Sequence, residues 1–395
     1  MSRFLLVVPP LVGHINPLVG VAGELTRRGH QVAWCGRADW IHQRVGAEAR
    51  VYDCAIPEEE GIVRPAGLTG PAAFRFLWEE FFVPLAETMA PGVERAVRDW
   101  RPDVVLSDQH TVAGSLVAER LGVPHMTSAS TCAELIDPLA ELPKVAAWLD
   151  ERLDALRRDL GDPSATNDPR FSRYGTLAFT GRELLAGVEP RWDHVHLLGP
   201  VLGDRPDQDD FPWDRLDENR ELVFVSLGTA NTDAGARFLQ ETGQALALLG
   251  DRVQGVVSDP GGHLTDPPPG TVVRPHVPQL AVLERAHAVI SHGGHNTVCE
   301  SLWHGLPLLL APIRDDQPLV SRQVVEAGAG VRVRFGRVRA ERLAEVLRTL
   351  LDDTEGHRTA AATIGRSLRQ TGGQHTAADH LERLAERGAV TTAAR

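Results

Sequence analysis

Short apolar runs alternate along this chain with longer stretches of helical period. Residues 4–8 (FLLVV) form an unbroken apolar run, as a strand buried on both faces of a parallel sheet requires. A turn rich in Pro, Gly and His follows, and Pro17 stands at a favourable helix start. Leu18, Val21, Ala22 and Leu25 then fall on one helical face, and Gly29 marks its end. Residues 31–35 read as the next strand. Strand, helix and strand in this order imply a right-handed parallel crossover.

The unit recurs. Residues 103–107 (DVVLS) predict a strand, 112–121 a helix and 124–127 another strand. In the second half, strands are expected at 222–226, 253–257, 272–274, 288–291, 306–311 and 331–334, with a helix over 234–249 and further helices in the gaps. Each half therefore reads as an α/β doubly wound domain. Between them, residues 204–220 (DRPDQDDFPWDRLDENR) are acidic, proline-bearing and without period, which is linker chemistry. The expected boundaries are residues 1–204, a linker at 205–218, a C-terminal domain at 219–375, and at 376–395 a C-terminal helix packing back toward the first domain, with a frayed tail from 389. Phe74, Leu77, Trp78, Phe81, Phe82 and Leu85 recur at helical spacing, as a core face or the lining of an apolar substrate pocket would.

Composition narrows the function classes. The 395 residues suit two to three domains. A net charge of −12 argues against a nucleic-acid backbone as partner, though not against a local basic pocket for a phosphate. Cys35, Cys54, Cys132 and Cys299 include no CxxC pair, and no His cluster has zinc-like spacing, so reduced thiols in a cytoplasmic protein are expected. The N-terminal apolar run is too short for a signal peptide, and nothing approaches the ~18 apolar residues of a membrane span.

The densest chemistry lies at 291–318 (SHGGHNTVCESLWHGLPLLLAPIRDDQP). A buried strand ends at Ser291, and Gly293 and Gly294 permit close backbone approach. A helix expected over 297–304 then presents unpaired N–H groups and the positive end of its dipole, a ready diphosphate site. His292, Asn296 and Thr297 add donors, and Glu300, one turn in, is within reach of a ribose. Without a ligand the same segment would be a tight turn. Asp316 and Gln317 follow the next strand, where an open α/β sheet faces its ligand, and suit vicinal sugar hydroxyls; a solvated loop is the bland alternative.

Elsewhere, His14 ends the first strand's turn, and its imidazole could take a proton from a hydroxyl. Asp108, at the same sheet edge, could hold one ring nitrogen and leave the other as base. A capping or core histidine and a helix N-cap are the plainer readings of the two. Gly228 and Thr229 could touch a phosphate, and Val277 and Gln279 could meet a flat base through backbone groups, with His276 stacking.

These residues resemble the family 1 glycosyltransferases of the GT-B fold, especially the bacterial natural-product branch, over nearly the whole chain. That family's signature looks like (V/A)PQ followed by HGGxxTxxExLxxGxPxxxxPxxxDQ. The chain matches it with Val277-Pro278-Gln279, then His292, Gly293, Gly294, Thr297, Glu300, Leu302, Gly305, Pro307, Pro312, Asp316 and Gln317. The family's GHxxP is met by Gly13, His14 and Pro17. The resemblance implies two Rossmann-like domains facing across a cleft, the first binding the acceptor and the second the nucleotide-sugar. It implies an inverting transfer from a UDP- or dTDP-sugar to a hydroxyl or amine of an apolar natural product, with no metal or cofactor besides the donor. His14 would be the base and Asp108 its partner. His292, Gly294, Asn296, Thr297 and Thr229 would hold the diphosphate, Glu300 the ribose, Val277 and Gln279 the base, and Asp316 and Gln317 the sugar, with Thr131 reaching toward it.

Two departures leave UDP and dTDP both open: His276 stands where many relatives carry an aromatic ring, and His295 where plant members carry Trp. Val320 replaces an Asn common in bacterial members. A nucleotide-sugar epimerase of the same fold and a non-catalytic sugar-nucleotide-binding accessory are the alternatives. A nicotinamide dehydrogenase is excluded by the lack of GxGxxG after the first strand.

Overall fold

The computed structural model describes residues 1–393 except 58–61, 63, 64, 66, 67, 69, 137, 138, 186, 204–209 and 229–234. The chain divides into two compact units. The first comprises Met1–Phe179, Glu189–Pro206 and Thr371–Arg395; the second comprises Thr180–Val188 and Asp207–Gln370.

The first unit is built on a seven-stranded sheet, β1 (Arg3–Val7), β2 (Gln31–Gly36), β3 (Arg50–Asp53), β4 (Val104–Asp108), β5 (His125–Ala129), β6 (Thr176–Ala178) and β7 (Val195–Leu197). Its strands run parallel in the order β3-β2-β1-β4-β5-β6-β7. Alternate residues of β1 enter two cores. Leu5 and Val7 join Met89, Val93, Leu116 and Leu153 on one face, whereas Phe4 and Leu6 join Ile15, Leu18, Ala377 and Leu381 on the other. Two buried faces explain why the strand reads as an unbroken apolar run. Trp78, Phe82 and Leu85 are core residues, and Phe74, Leu77 and Phe81 pack against them.

The Val12–Arg27 helix begins five residues before Pro17, the expected start. His14 thus lies in the helix's first turn rather than ahead of it. Pro17 is the sixth helical residue, inside the helix, where it removes the N–H that would otherwise bond the Gly13 carbonyl. The C-terminal helix, Gly373–Ala393, packs on the Val12–Arg27 helix within this unit. Arg28 donates to Asp379 at 2.6 Å and to Glu382 at 2.7 Å.

The second unit carries six parallel strands, β8 (Glu221–Ser226), β9 (Val253–Ser258), β10 (Thr271–Arg274), β11 (Ala288–Ser291), β12 (Leu308–Leu310) and β13 (Gly330–Arg332). Their order is β10-β9-β8-β11-β12-β13. Val223, Val225, Ile290 and Leu309 pack against Phe238, Leu246, Leu343 and Leu347 of two covering helices. The segment Thr180–Val188 groups with this unit, its Arg182–Leu185 turn lying against the Gln317–Glu326 helix. Of the residues read as linker, 210–218 are described and 205–209 lie outside the described residues.

Both sheets reverse their winding at one place, between β1 and β4 and between β8 and β11. Loops beyond the carboxyl ends of such a strand pair bound the ligand crevice of an open α/β sheet.

Candidate active site

In the first unit, Val7 of β1 pairs with Ser107 of β4, so the chain leaving each strand emerges side by side. This brings together two residues 94 positions apart: His14 Nδ1 lies 3.0 Å from both carboxylate oxygens of Asp108. The His14 side chain is 17% exposed and that of Asp108 is wholly buried. Asp108 also accepts the backbone N–H of His110 at 3.0 Å and the Ser130 hydroxyl at 2.9 Å. Ser130 Oγ lies 2.8 Å from His14 Nδ1, so it touches both members of the pair. Burial by itself would raise the Asp108 carboxyl; attraction to His14 and its hydrogen bond, then His110, outweigh it and hold the group below its ordinary range.

His110 extends the network. Its Nε2 lies 3.1 Å from Glu134, and Arg170 donates to Glu134 at 3.3 Å and to Asp168 at 2.7 Å. Burial raises the Glu134 carboxyl, but Arg170 and then His110 bring it down to about 2. His14, Asp108 and His110 gather their donor atoms within 4.8 Å, the spacing of a possible metal cluster. Nδ1 of His14 and both Asp108 oxygens already serve one another, Ser130 and the His110 backbone, so the geometry is that of a proton-bonding network. Ser130, His110, Glu134 and Arg170 were not singled out in the sequence; the one hint was the neighbouring Thr131. Thr131 itself is half-buried beside this network.

In the second unit, Ser226 of β8 pairs with Ser291 of β11, which juxtaposes Gly228 and the His292–Gly294 turn. The His292 ring is buried between the two glycine-bearing loops. A Cβ on Gly228 would come 2.7 Å from that ring, and one on Gly294 would collide with it. Gly293 has φ +86° and packs so closely on Ser321 that a side chain has no room. Burial lowers His292 to about 4, partly offset by the Ser226 backbone, so the ring is neutral at physiological pH.

The His295–Trp303 helix starts two residues earlier than expected, with Gly294 as its N-cap and no side-chain cap. Its leading N–H groups and dipole face the turn, and Asn296 and Thr297 lie in the first turn. Gln279 donates to Glu300 at 2.6 Å and approaches Thr297 Oγ1 at 3.5 Å. The residues read separately as base and ribose contacts therefore form one linked group. Gln317 is buried, and its carbonyl oxygen accepts the backbone N–H groups of Ile313 and Arg314 at 2.9 and 3.0 Å. That fastens the loop bearing Asp316 and leaves the amide nitrogen as the Gln317 group available to a sugar. Val277 and His276 follow β10, and His276 lines a cavity of about 240 Å³ with Arg274, Pro275, Asp210 and Phe211. Thr229 lies outside the described residues.

Residues 215–361 match the family model described as UDP-glucoronosyl and UDP-glucosyl transferase. The demethyllactenocin mycarosyltransferase of Streptomyces fradiae is 28% identical, over 97% of this chain and 87% of that protein. The crystal structure of the kitacinnamycin glycotransferase is 27% identical, with a TM-score of 0.77 over 97% of this chain and 98% of that one. The spinosyn rhamnosyltransferase SpnG, complexed with thymidine diphosphate, is 21% identical, with a TM-score of 0.76 over 97% of this chain and 100% of that one.

Proposed function

As this chain belongs to the family 1 glycosyltransferases of the GT-B fold, in their bacterial natural-product branch, we propose that it transfers a sugar, with inversion, from a UDP- or dTDP-sugar to a hydroxyl or amine of an apolar natural product. The observation that carries the mechanism is the His14–Asp108 pair. Asp108 engages Nδ1 and fixes the ring, which leaves Nε2 as the nitrogen for an acceptor. His14 takes the acceptor proton as the acceptor attacks the anomeric carbon. The nucleoside diphosphate departs from the opposite face of the sugar, so a single displacement inverts the centre.

Charge building on the leaving phosphates meets the N-terminal donors of the His295–Trp303 helix and the neutral His292 ring. Asn296, Thr297 and Gly294 complete the diphosphate grip, and Thr229 is a further candidate. Glu300, tied to Gln279, takes the ribose hydroxyls. Asp316 and the Gln317 amide read the sugar. Val277 and the loop at His276 take the base, beside the cavity that Phe211 also lines. Thymidine diphosphate in the rhamnosyltransferase and the UDP-sugars of the matching family model support a dTDP-sugar as readily as a UDP-sugar. The protein chemistry needs no resident metal, because backbone donors supply the phosphate's partners.

The test is a thermal-shift panel of UDP- and dTDP-sugars, then an acceptor screen with the best donor. A glycosylated product formed by the wild type and lost in His14→Ala, with donor binding retained, is the expected result. Full turnover in His14→Ala would remove the base. An epimer formed from donor alone would replace transfer with epimerisation.

A further inference from the structure

The network beside the dyad contains an imbalance of buried charge. Arg170 is buried and Asp168 and Glu134 are largely so, with side-chain exposures of 8, 13 and 10% in that order. Two carboxylates share one guanidinium, so the three carry one uncompensated negative charge unless a cation joins them. A buried charge without a partner is costly, and a neighbouring titratable group takes up a proton instead. His110 is that group. It is 9% exposed, and its Nε2 sits 3.1 Å from Glu134. Its backbone N–H binds Asp108, and its ring centroid lies 5.4 Å from that of His14.

We propose that His110 is an imidazolium held against the Glu134 carboxylate, and that it is a positioning residue for the His14–Asp108 pair, sharing Asp108 with His14. This rests on the reading of His14 as the base.

Every element packed on the ring fits the assignment. Phe82 stacks on it at 4.5 Å and 13°, and Trp78 meets it edge-on at 6.2 Å, so both exclude water. Glu79, on the same Trp78–Phe82 segment, is paired away with Arg75. The Val12–Arg27 helix contributes His14, β4 contributes Asp108, the Ala133–Ile136 turn Glu134, and the loop after the Pro143–Leu160 helix Asp168 and Arg170. Asp150 adds a more distant negative charge on Arg170. Burial lowers the His110 imidazole, but Glu134 and then Asp108 overcome this and the group stands raised, with Arg170 opposing them. Among the described residues Nδ1 of His110 is buried without a hydrogen-bond partner, a cost of the imidazolium that the attraction of Glu134 and Asp108 must outweigh.

The consequence is electrostatic. A fixed cation about one ring away from His14 shares the Asp108 carboxylate with it and sets the field in which the base takes the acceptor's proton. Two charges at such a distance in a partly buried site interact by about one pH unit or more.

The test has two arms, both on the full chain. In the first, the protein is labelled with ¹⁵N-histidine and the His110 ring signals are assigned by His110→Gln. Both ring nitrogens protonated at pH 7, and one lost in Glu134→Gln, is the expected result; a neutral wild-type ring at pH 7 overturns the proposal. This arm needs no turnover, so it stands or falls apart from the transferase reading, and Glu134→Gln keeps it decisive if His110→Gln fails to fold. In the second arm, kcat/KM for transfer to the best acceptor of the screen is followed from pH 5 to 9. His110→Gln should move the acid limb upward by about one pH unit, losing up to about tenfold near pH 6 and little near pH 9. A uniform loss at every pH would reduce His110 to a packing residue and overturn the proposal.

Discussion

The two sheets reverse their winding in the same way and use the reversal differently. Between β1 and β4, the chain places side chains: His14, Asp108, Ser130 and His110 form a buried hydrogen-bonded network. Between β8 and β11, it removes them: Gly228, Gly293 and Gly294 clear space around the His292 ring and before an uncapped helix start. One topology thus supports proton handling at one switch point and anion binding at the other. The topology supplies adjacency, and the residue types supply the chemistry. A base needs an oriented ring and a fixed counter-charge, whereas a diphosphate needs close backbone and a dipole.

That division can be broken by separating chemistry from binding. His14→Ala should lower transfer by about 10² to 10⁴-fold while leaving nucleoside-diphosphate affinity unchanged, as calorimetry with UDP and dTDP would read. A matching loss of nucleotide affinity would merge the two sites into one role. In the second unit, Gly294→Ala drives a Cβ into the His292 ring. It should weaken diphosphate binding by about tenfold and destabilise the unit by roughly 1–3 kcal/mol, with no movement of the pH profile of transfer. A displaced acid limb in that variant would place proton handling in the wrong unit.

A smaller effect sharpens the picture of the first site. Ser130→Ala removes one of the hydrogen bonds to Asp108 and should cost kcat about three- to tenfold with KM little changed, because a single hydrogen bond to a charged group contributes roughly 1.5–3 kcal/mol at most.

The last expected effect is on stability and touches both units. Burial is the largest cause that lowers His125 and His380 in the first unit and His292 in the second, each to about 4. Their folded forms resist protonation, while the unfolded chain takes protons near 6.5. Their contribution is complete above about pH 6.5 and is lost as pH falls through about 4. Thermal melts from pH 7 to 4 should show a steadily falling Tm; a flat profile would mean these rings are hydrated.

Much of this was legible in the linear pattern. The central strands announced themselves as apolar runs because both their faces are covered, as in β1, β4, β8 and β11. The edge strands β3 (RVYD) and β7 (VHL) did not, since half-exposed edges carry mixed residues, and the buried β6 (TLA), at three residues, was too short to stand out. Pro17 misplaced the first helix by five residues, because proline is favoured at a helix start and here stands inside the helix as its sixth residue. The glycine-rich turn after β11 was legible since its residues are contiguous.

The sequence by itself determined two doubly wound α/β domains and the residue types able to grip a diphosphate. Only the tertiary structure decided that Ser130 bridges His14 and Asp108, that Gln279 is bonded to Glu300, and that Glu134 and Arg170 surround His110. The physical reason is distance along the chain. A turn's chemistry is written in neighbours, whereas a buried charge network joins residues 22 to 116 positions apart that meet only when parallel strands set their carboxyl ends side by side.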